Sequence, residues 1–303
     1  MRPFRFAAVI RMAGSAREWA ERARRLEDSG FGALLVPDHL TGPRFAPVAA
    51  MTAAACATSR LKIGTLVLAN DYRHPAVLAK EAATVDVLSD GRLEFGLGTG
   101  WMAADYDAAG LRLDPPGARI DRLAEAIEVI KSLWRGGPVT HAGEHYHLDG
   151  LEQLPLPVQR PGPPLMLGAG GARMLRLAAR EADIVNLTMR VRADGSGPDT
   201  ADGGPGAFRR KVGIVRDAAG DRFGSLELGT SILRLGPGGA TAAWSAADPA
   251  AQADTPQVLT GGPGEIADRL RGWRDELGLS YYVLHHETDL EAFTPVVAAL
   301  AGT

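Results

Sequence analysis

Residues 63–101 read IGTLVLANDYRHPAVLAKEAATVDVLSDGRLEFGLGTGW, and this stretch decides the fold. Its two apolar ends belong to the segments Leu61–Leu68 and Arg92–Leu97. Both have the length and continuous apolar character of strands buried on two faces. Between them, Pro75 opens a helical run that reaches about Leu88. Proline suits the first helical position, where its missing N–H is not needed. A strand, a helix and a second strand in that order form a parallel unit, because parallel neighbours require a crossover of this length.

The same alternation extends in both directions. Upstream lie a strand over Phe4–Ile10, a helix with Trp19, Ala23, Leu26 and Gly30 on one face, a strand over Ala33–Pro37 and a helix over Pro47–Thr58. Ser15-Ala-Arg-Glu18 has the spacing of a capping box for the first of these helices. Downstream, the periodicity predicts helices over Ile120–Trp134, Gly171–Ala182, Ala207–Ala219, Pro263–Leu277 and Leu290–Ala301. Strands are predicted over Pro164–Leu167, Asp183–Leu187, Leu226–Leu235 and Tyr281–His285. Gly136–Gly150 holds two short β-prone pieces, a hairpin expected on the αβ side of the fold. Eight strands alternating with helices predict an α/β protein with a (β/α)8 TIM barrel rather than an open sheet. Residues 1–303 read as one domain, with no linker that would divide them. Two loop-like stretches, Met189–Gly206 and Gly236–Pro256, follow strands and so emerge on the C-terminal face. They are either surface insertions or a lid over a binding site.

Charge and composition exclude several classes. The net charge is −3, and no cluster of Lys and Arg interleaved with aromatics occurs, so no nucleic acid partner is expected. No apolar run approaches the length of a membrane span, and the opening residues lack the apolar core and cleavage site of a secretion signal. The one cysteine, Cys56, forbids an internal disulfide and is ordinary for a cytoplasmic protein. Its setting in AAMTAAACATS predicts a buried structural thiol.

Residues 63–101 resemble the luciferase-like monooxygenase superfamily, in particular its actinobacterial branch that uses the deazaflavin coenzyme F420. Further pieces carry the resemblance in order along the chain: Val36-Pro-Asp-His-Leu40, Pro157-Val-Gln-Arg-Pro161, Leu167-Gly-Ala-Gly-Gly171, Ala178-Ala-Arg-Glu-Ala-Asp-Ile-Val185 and Leu259-Thr-Gly-Gly-Pro-Gly-Glu265. It implies an oxidoreductase passing hydride to or from a small organic substrate with F420 as cofactor. Users of FMN share most of these pieces. An FMNH2-dependent monooxygenase supplied by a partner flavin reductase is therefore the alternative, and a non-catalytic flavin-binding barrel is the reading from another class. Members of the superfamily often form homodimers through early helices, and the Ala-rich helix at Pro47–Thr58 is compatible with such packing.

Candidate catalytic residues are Asp38 and His39, which end the second strand on the face where barrel active sites lie. An imidazole there can donate to a reduced ring or shuttle a proton. Asp38 can fix its tautomer or bind a ring nitrogen; the plainer alternative is a turn cap beside a surface histidine. The resemblance implies that the pair contacts the reactive ring. It also implies a non-proline cis peptide at Leu66–Val67 backing that ring, where a plain strand is the alternative. Asn70 is a candidate for the ring's carbonyl edge. Gly98, Thr99 and Gly100 let backbone approach a flat ring. Gly168, Ala169, Gly170 and Gly171 precede a helix whose N–H groups suit a phosphate, with Arg173 able to add charge. A tight βα turn would explain the same glycines.

Trp101 and Tyr72 are candidate substrate walls, and Arg11 and His285 are pocket candidates by position at strand ends. Trp101 stands where some sugar-phosphate dehydrogenases of the superfamily carry a glutamate proton donor, a departure in both substrate and acid. Asp105 and Tyr106 fall near a recurrent acidic-tyrosine pair that supports the same loop. His141, His145 and His147 near Glu144 have a zinc-like spacing but lie on the expected hairpin, and no metal is assigned to them.

Overall fold

The computed structural model describes residues 1–236 and 255–303. In chain order it comprises β1 (Arg5–Val9), α1 (Ala16–Asp28), β2 (Ala33–Val36), α2 (Pro47–Ala57), β3 (Lys62–Thr65), β4 (Leu68–Ala69), α3 (Pro75–Leu88) and β5 (Leu93–Gly98). Then follow α4 (Ala103–Ala109), α5 (Pro116–Arg135), β6 (Val139–Ala142), β7 (His147–Leu151), β8 (Leu165–Ala169), α6 (Ala172–Glu181), β9 (Ile184–Leu187) and α7 (Pro205–Ala219). The described chain ends with β10 (Glu227–Ile232), β11 (Arg234–Leu235), β12 (Val258–Leu259), α8 (Pro263–Leu277), β13 (Leu279–Leu284) and α9 (Leu290–Leu300).

The barrel strands pair in parallel in the order β3, β2, β1, β13, β10, β9, β8, β5, and β5 pairs back to β3. The ring closes, as the strand–helix alternation predicts. The third stave is broken: β3 ends at Thr65, the Leu66–Val67 peptide is cis, and β4 resumes the pairing with β5 at Leu68. Alternate residues along each strand face opposite sides. Ala7, Val9, Ala33, Leu35, Met166, Ile184, Tyr281 and Val283 fill the barrel interior, and Leu66 and Val67 pack against them. Phe6, Ala8, Leu34, Val36, Tyr282 and Leu284 point the other way, into the layer under the helices.

Several expectations are corrected. The seventh stave ends at Ile232, two residues before Arg234–Leu235 leave it to pair with Val258–Leu259. The eighth begins at Leu279, because Gly278 in a left-handed conformation (φ +76°) stops α8 just before it. Helix α4, absent from the sequence reading, occupies seven residues after Trp101. Cys56 is exposed: α2 is apolar all round, so its composition gives no contrast between faces, and the thiol sits on the outer one. The loop Met189–Gly206 carries a bridge between Val191 and Pro198 and a short turn of helix at Thr200–Asp202. Most of the second loop-like stretch, Gly236–Pro256, lies outside the described residues. No described helix is long and apolar enough to cross a membrane.

Candidate active site

All barrel strands run the same way, so the residues that follow them gather at one mouth. His39, two residues past Pro37, is held there by Asp105 of α4, whose Oδ2 lies 2.6 Å from its Nδ1. Asp105 is fully buried and also accepts from the Thr41 backbone N–H at 2.9 Å and the Thr41 hydroxyl at 2.6 Å. Burial alone would raise this carboxyl, but the hydrogen bonds from Thr41 and His39 prevail and hold it below the usual carboxylate range. A charged carboxylate on Nδ1 fixes the proton there and leaves Nε2, which has no hydrogen-bond partner among the described residues.

Asp38 does something other than the sequence implied. Its Oδ2 accepts from the Ala69 backbone N–H at 3.0 Å and from Arg73 at 2.6 Å, and Oδ1 takes a second Arg73 nitrogen at 3.3 Å. The carboxylate pins the segment after the cis peptide and does not orient His39. Asp105, read as a loop support, is the residue that does.

Trp101 meets the His39 ring edge-on, with centroids 5.7 Å apart and an interplanar angle of 89°. Tyr72 lies against Tyr106, and its hydroxyl is 3.4 Å from Asp105. Burial, then the charge of Asp105, raises the phenol well above its ordinary range, so it stays a neutral hydroxyl. Tyr106 donates to Asp71 at 2.8 Å. Gly100 is required beside it: φ is +72°, and a Cβ there would fall 2.1 Å from the Tyr106 hydroxyl. A Cβ on Gly98 would lie 2.7 Å from Val67, so the glycine makes room for the side chain of the broken stave. The Thr99 hydroxyl turns back to the Gly100 carbonyl at 3.0 Å.

Asn70 is buried, and its Nδ2 donates to the Tyr146 hydroxyl at 3.0 Å. Its Oδ1 is sealed from solvent with no partner. Tyr146 comes from the turn between β6 and β7, and its ring also meets His74 edge-on. The tip of the hairpin therefore reaches the mouth, contrary to its expected place away from the catalytic face. Glu125 of α5 holds it, accepting the His145 and Tyr146 backbone N–H groups and His141 Nε2 at 3.1 Å. Of the three histidines only His141 brings its ring to this anchor; His145 contributes its backbone N–H. Among the described residues no group of three or more His, Cys, Asp or Glu is arranged to hold a metal. Replacing Tyr146 with phenylalanine is expected to lower stability by about 1 kcal/mol, read as a shift in urea midpoint, because the buried Asn70 amide loses its acceptor.

Helix α6 begins at Gly171 (its N-cap), and a Cβ on Gly171 would meet nothing within 4 Å. A cavity of about 280 Å³ opens at Gly170 and Gly171, with Arg190, Arg210 and Lys211 also in its lining. None of those three cations was singled out by the sequence; the run Phe208–Val212 reads as an ordinary amphipathic helix. Burial pulls the Lys211 ammonium down, although Asp202 accepts from it at 2.7 Å. Arg173 does not join them: it pairs with Asp121 of α5 on the surface. Ala169 ends β8 inside the fold, and a Cβ on Gly168 would lie 3.8 Å from the Val67 side chain.

Arg11 donates to the His285 carbonyl at 2.9 Å, tying the end of β1 to the end of β13. The residue His285 keeps some exposure, but its Nδ1 is sealed and unpaired. Burial, reinforced by Arg11, pushes the imidazole down to about 3, so it is neutral at every physiological pH. Arg11 and His285 thus sit at strand ends as expected, and Arg11 is engaged with backbone. His39 lines neither the 280 Å³ cavity nor the second one at the opposite end of the barrel.

Comparison with known proteins places this geometry. Residues 2–197 match the luciferase-like monooxygenase family. An F420-dependent glucose-6-phosphate dehydrogenase from Gordonia bronchialis is 36% identical over 187 residues, which are 59% of this chain and 54% of that protein. The chain thus spans about half the length of the curated relatives it matches. The solved structure of an F420-dependent secondary alcohol dehydrogenase in complex with an F420-acetone adduct has a TM-score of 0.80 at 17% identity, covering 99% of both chains. An EDTA monooxygenase from Chelativorans sp. BNC1 has a TM-score of 0.76 at 16% identity, covering 98% of this chain and 94% of that one. These two structures share the barrel. With the family match over most of the chain and the closed ring of strands broken at its third stave, the protein belongs to the luciferase-like monooxygenase family.

Proposed function

We propose that this chain, acting as one barrel domain, is an F420-dependent oxidoreductase that moves hydride between the deazaflavin and a small organic substrate. The observation that carries the proposal is the imidazole of His39, fixed through Nδ1 by a buried carboxylate and left with Nε2 at the mouth. The 36% identical relative, an F420-dependent dehydrogenase by name, supports the choice of cofactor.

The residues present fit such a group. Asn70 Oδ1 is a buried acceptor with no donor, the complement of a ring N–H. Gly98 gives the space of a side chain to Val67, the residue proposed to back the ring. The start of α6 offers unshared N–H groups to a phosphate, with the cations Arg190 and Arg210 nearby. When bound, F420 supplies two-electron hydride chemistry at carbon, without reaction with oxygen.

This chain's own side chains do the rest. Asp105 keeps the His39 proton on Nδ1, so Nε2 accepts a proton from the substrate in oxidation and, once charged, returns one in reduction. The Asp105 carboxylate stabilises the imidazolium in between. Trp101, standing edge-on to His39, gives the substrate an apolar wall and excludes water. With tryptophan where sugar-phosphate dehydrogenases carry an acid, the substrate class favoured is an apolar alcohol, carbonyl or unsaturated compound.

The test is direct. Purified protein is mixed with reduced F420 or reduced FMN, with and without oxygen, and absorbance is followed. Saturable binding of F420 with oxygen-insensitive turnover is expected. Oxygen-dependent consumption of FMNH2 would assign the chain to the monooxygenases that draw on a reductase, and failure to bind either cofactor would leave a non-catalytic barrel.

A further inference from the structure

The N-terminal end of the barrel, opposite His39, holds a cavity of about 590 Å³, within the usual size of small-ligand sites. Nothing in the redox chemistry above uses it. Four carboxylates line it, and each is answered by a cation. Arg5 bridges the buried Glu94 and Glu227, with Lys62 4.0 Å from Glu94. Lys131 pairs with Glu181 at 2.8 Å, and Arg222 lies 3.8 Å from Asp183. Those four cations neutralise the four acids. Three further arginines of the lining, Arg2, Arg135 and Arg160, have no carboxylate within 4 Å among the described residues.

Arg2 and Arg135 each donate to a neutral oxygen, on Ser225 and Ser132, and the charge of Arg2 also acts on Glu227, which Arg5 already pairs. No described hydrogen bond or ion pair involves the Arg160 side chain. In a chain of net charge −3, the lining of this one concavity thus holds seven cations against four carboxylates. Mutual repulsion would drive such groups apart on an open surface, and an anion among them removes the repulsion. Guanidinium forks match phosphate oxygens in pairs, and a carboxylate offers fewer acceptors for three forks. The floor is polar: Tyr281 donates to Glu94 at 2.7 Å, so an apolar occupant would leave charged groups dry.

We infer that this cavity is a second binding site, for a small phosphate-bearing anion of pyrophosphate to nucleotide size, independent of the cofactor site at the other end. Inorganic pyrophosphate is the probe, titrated calorimetrically into the full chain at constant ionic strength. The inference predicts saturable one-site binding that Arg135→Gln with Arg160→Gln weakens about tenfold or more, with unchanged thermal unfolding in the absence of probe. Titration of the double variant with F420 is expected to match the unsubstituted protein, which separates this inference from the redox proposal. The start of α6 is the competing phosphate site, so Arg210→Gln is the control. Pyrophosphate heat lost in Arg210→Gln and retained in the double variant overturns the inference. So does an absence of binding, or an equal heat from sodium chloride of the same ionic strength.

Discussion

His39→Gln is expected to lower kcat/KM by roughly two to three orders of magnitude while changing the dissociation constant for F420 by less than about threefold. Glutamine keeps a polar group of similar reach but cannot cycle a proton. The loss should therefore fall on the chemical step and leave ring binding, which the proposed function assigns to backbone and to Asn70. Asp105→Asn is the informative partner. Its amide can donate to Nδ1, which moves the histidine proton to Nε2 and presents a donor where an acceptor is needed. Asp105→Asn should thus lose activity in the oxidative direction almost as completely as His39→Gln, and the double variant should be little worse than either single one. An unchanged rate in His39→Gln would remove His39 from the reaction, and additive losses would mean that Asp105 does not act through it.

The barrel was legible because its signal is local and repeated. Each strand announces itself by a short apolar run, and Pro75 and the glycines near strand ends mark where the chain turns. Even the Ser15 cap is read correctly in part: Ser15 accepts from the Glu18 N–H, while the Glu18 carboxylate takes the Gly14 N–H instead of that of Ser15. The site was half legible. Strand-end position finds His39, Asn70 and Trp101, since every residue after a barrel strand faces the same mouth. It cannot find their partners. Asp105 reaches His39 from a helix 66 residues later, and Tyr146 reaches Asn70 across 76 residues. No spacing rule connects such pairs, and Asp38, the adjacent carboxylate, is the natural but mistaken choice. Cys56 failed for the opposite reason: in a helix where every face is apolar, periodicity carries no information about which one is buried.

The charged floor at the other end shows the same limit and carries the largest stability effect. Arg5 and Glu227 are the first residues of their strands and Glu94 the second of its own, and only closure of the ring brings them together. Glu94 and Glu227 are nearly inaccessible, and Arg5 stands between them with its guanidinium 4.5 Å from the Tyr281 ring centre. Arg5→Met keeps much of the packing but leaves two buried carboxylates facing each other, with Lys62 and Arg2 the nearest remaining cations. Removing one side of a buried pair costs about 3 kcal/mol or more, and that is the expected drop in urea stability at pH 8. The pH dependence follows from Glu227. Burial raises this carboxyl above its ordinary value even with Arg5 present, so the folded state holds its proton more tightly than the unfolded chain does. A raised acid contributes stability that is fully present below its unfolded value of 4.5 and is lost as pH rises through the folded value. Without Arg5 the folded value rises further, and the deficit of the variant should shrink as pH falls from 8 towards 5. A deficit equal at both pH values, or one under about 1 kcal/mol at pH 8, would mean that water reaches these carboxylates and the floor is not the dry ion cluster that its geometry describes.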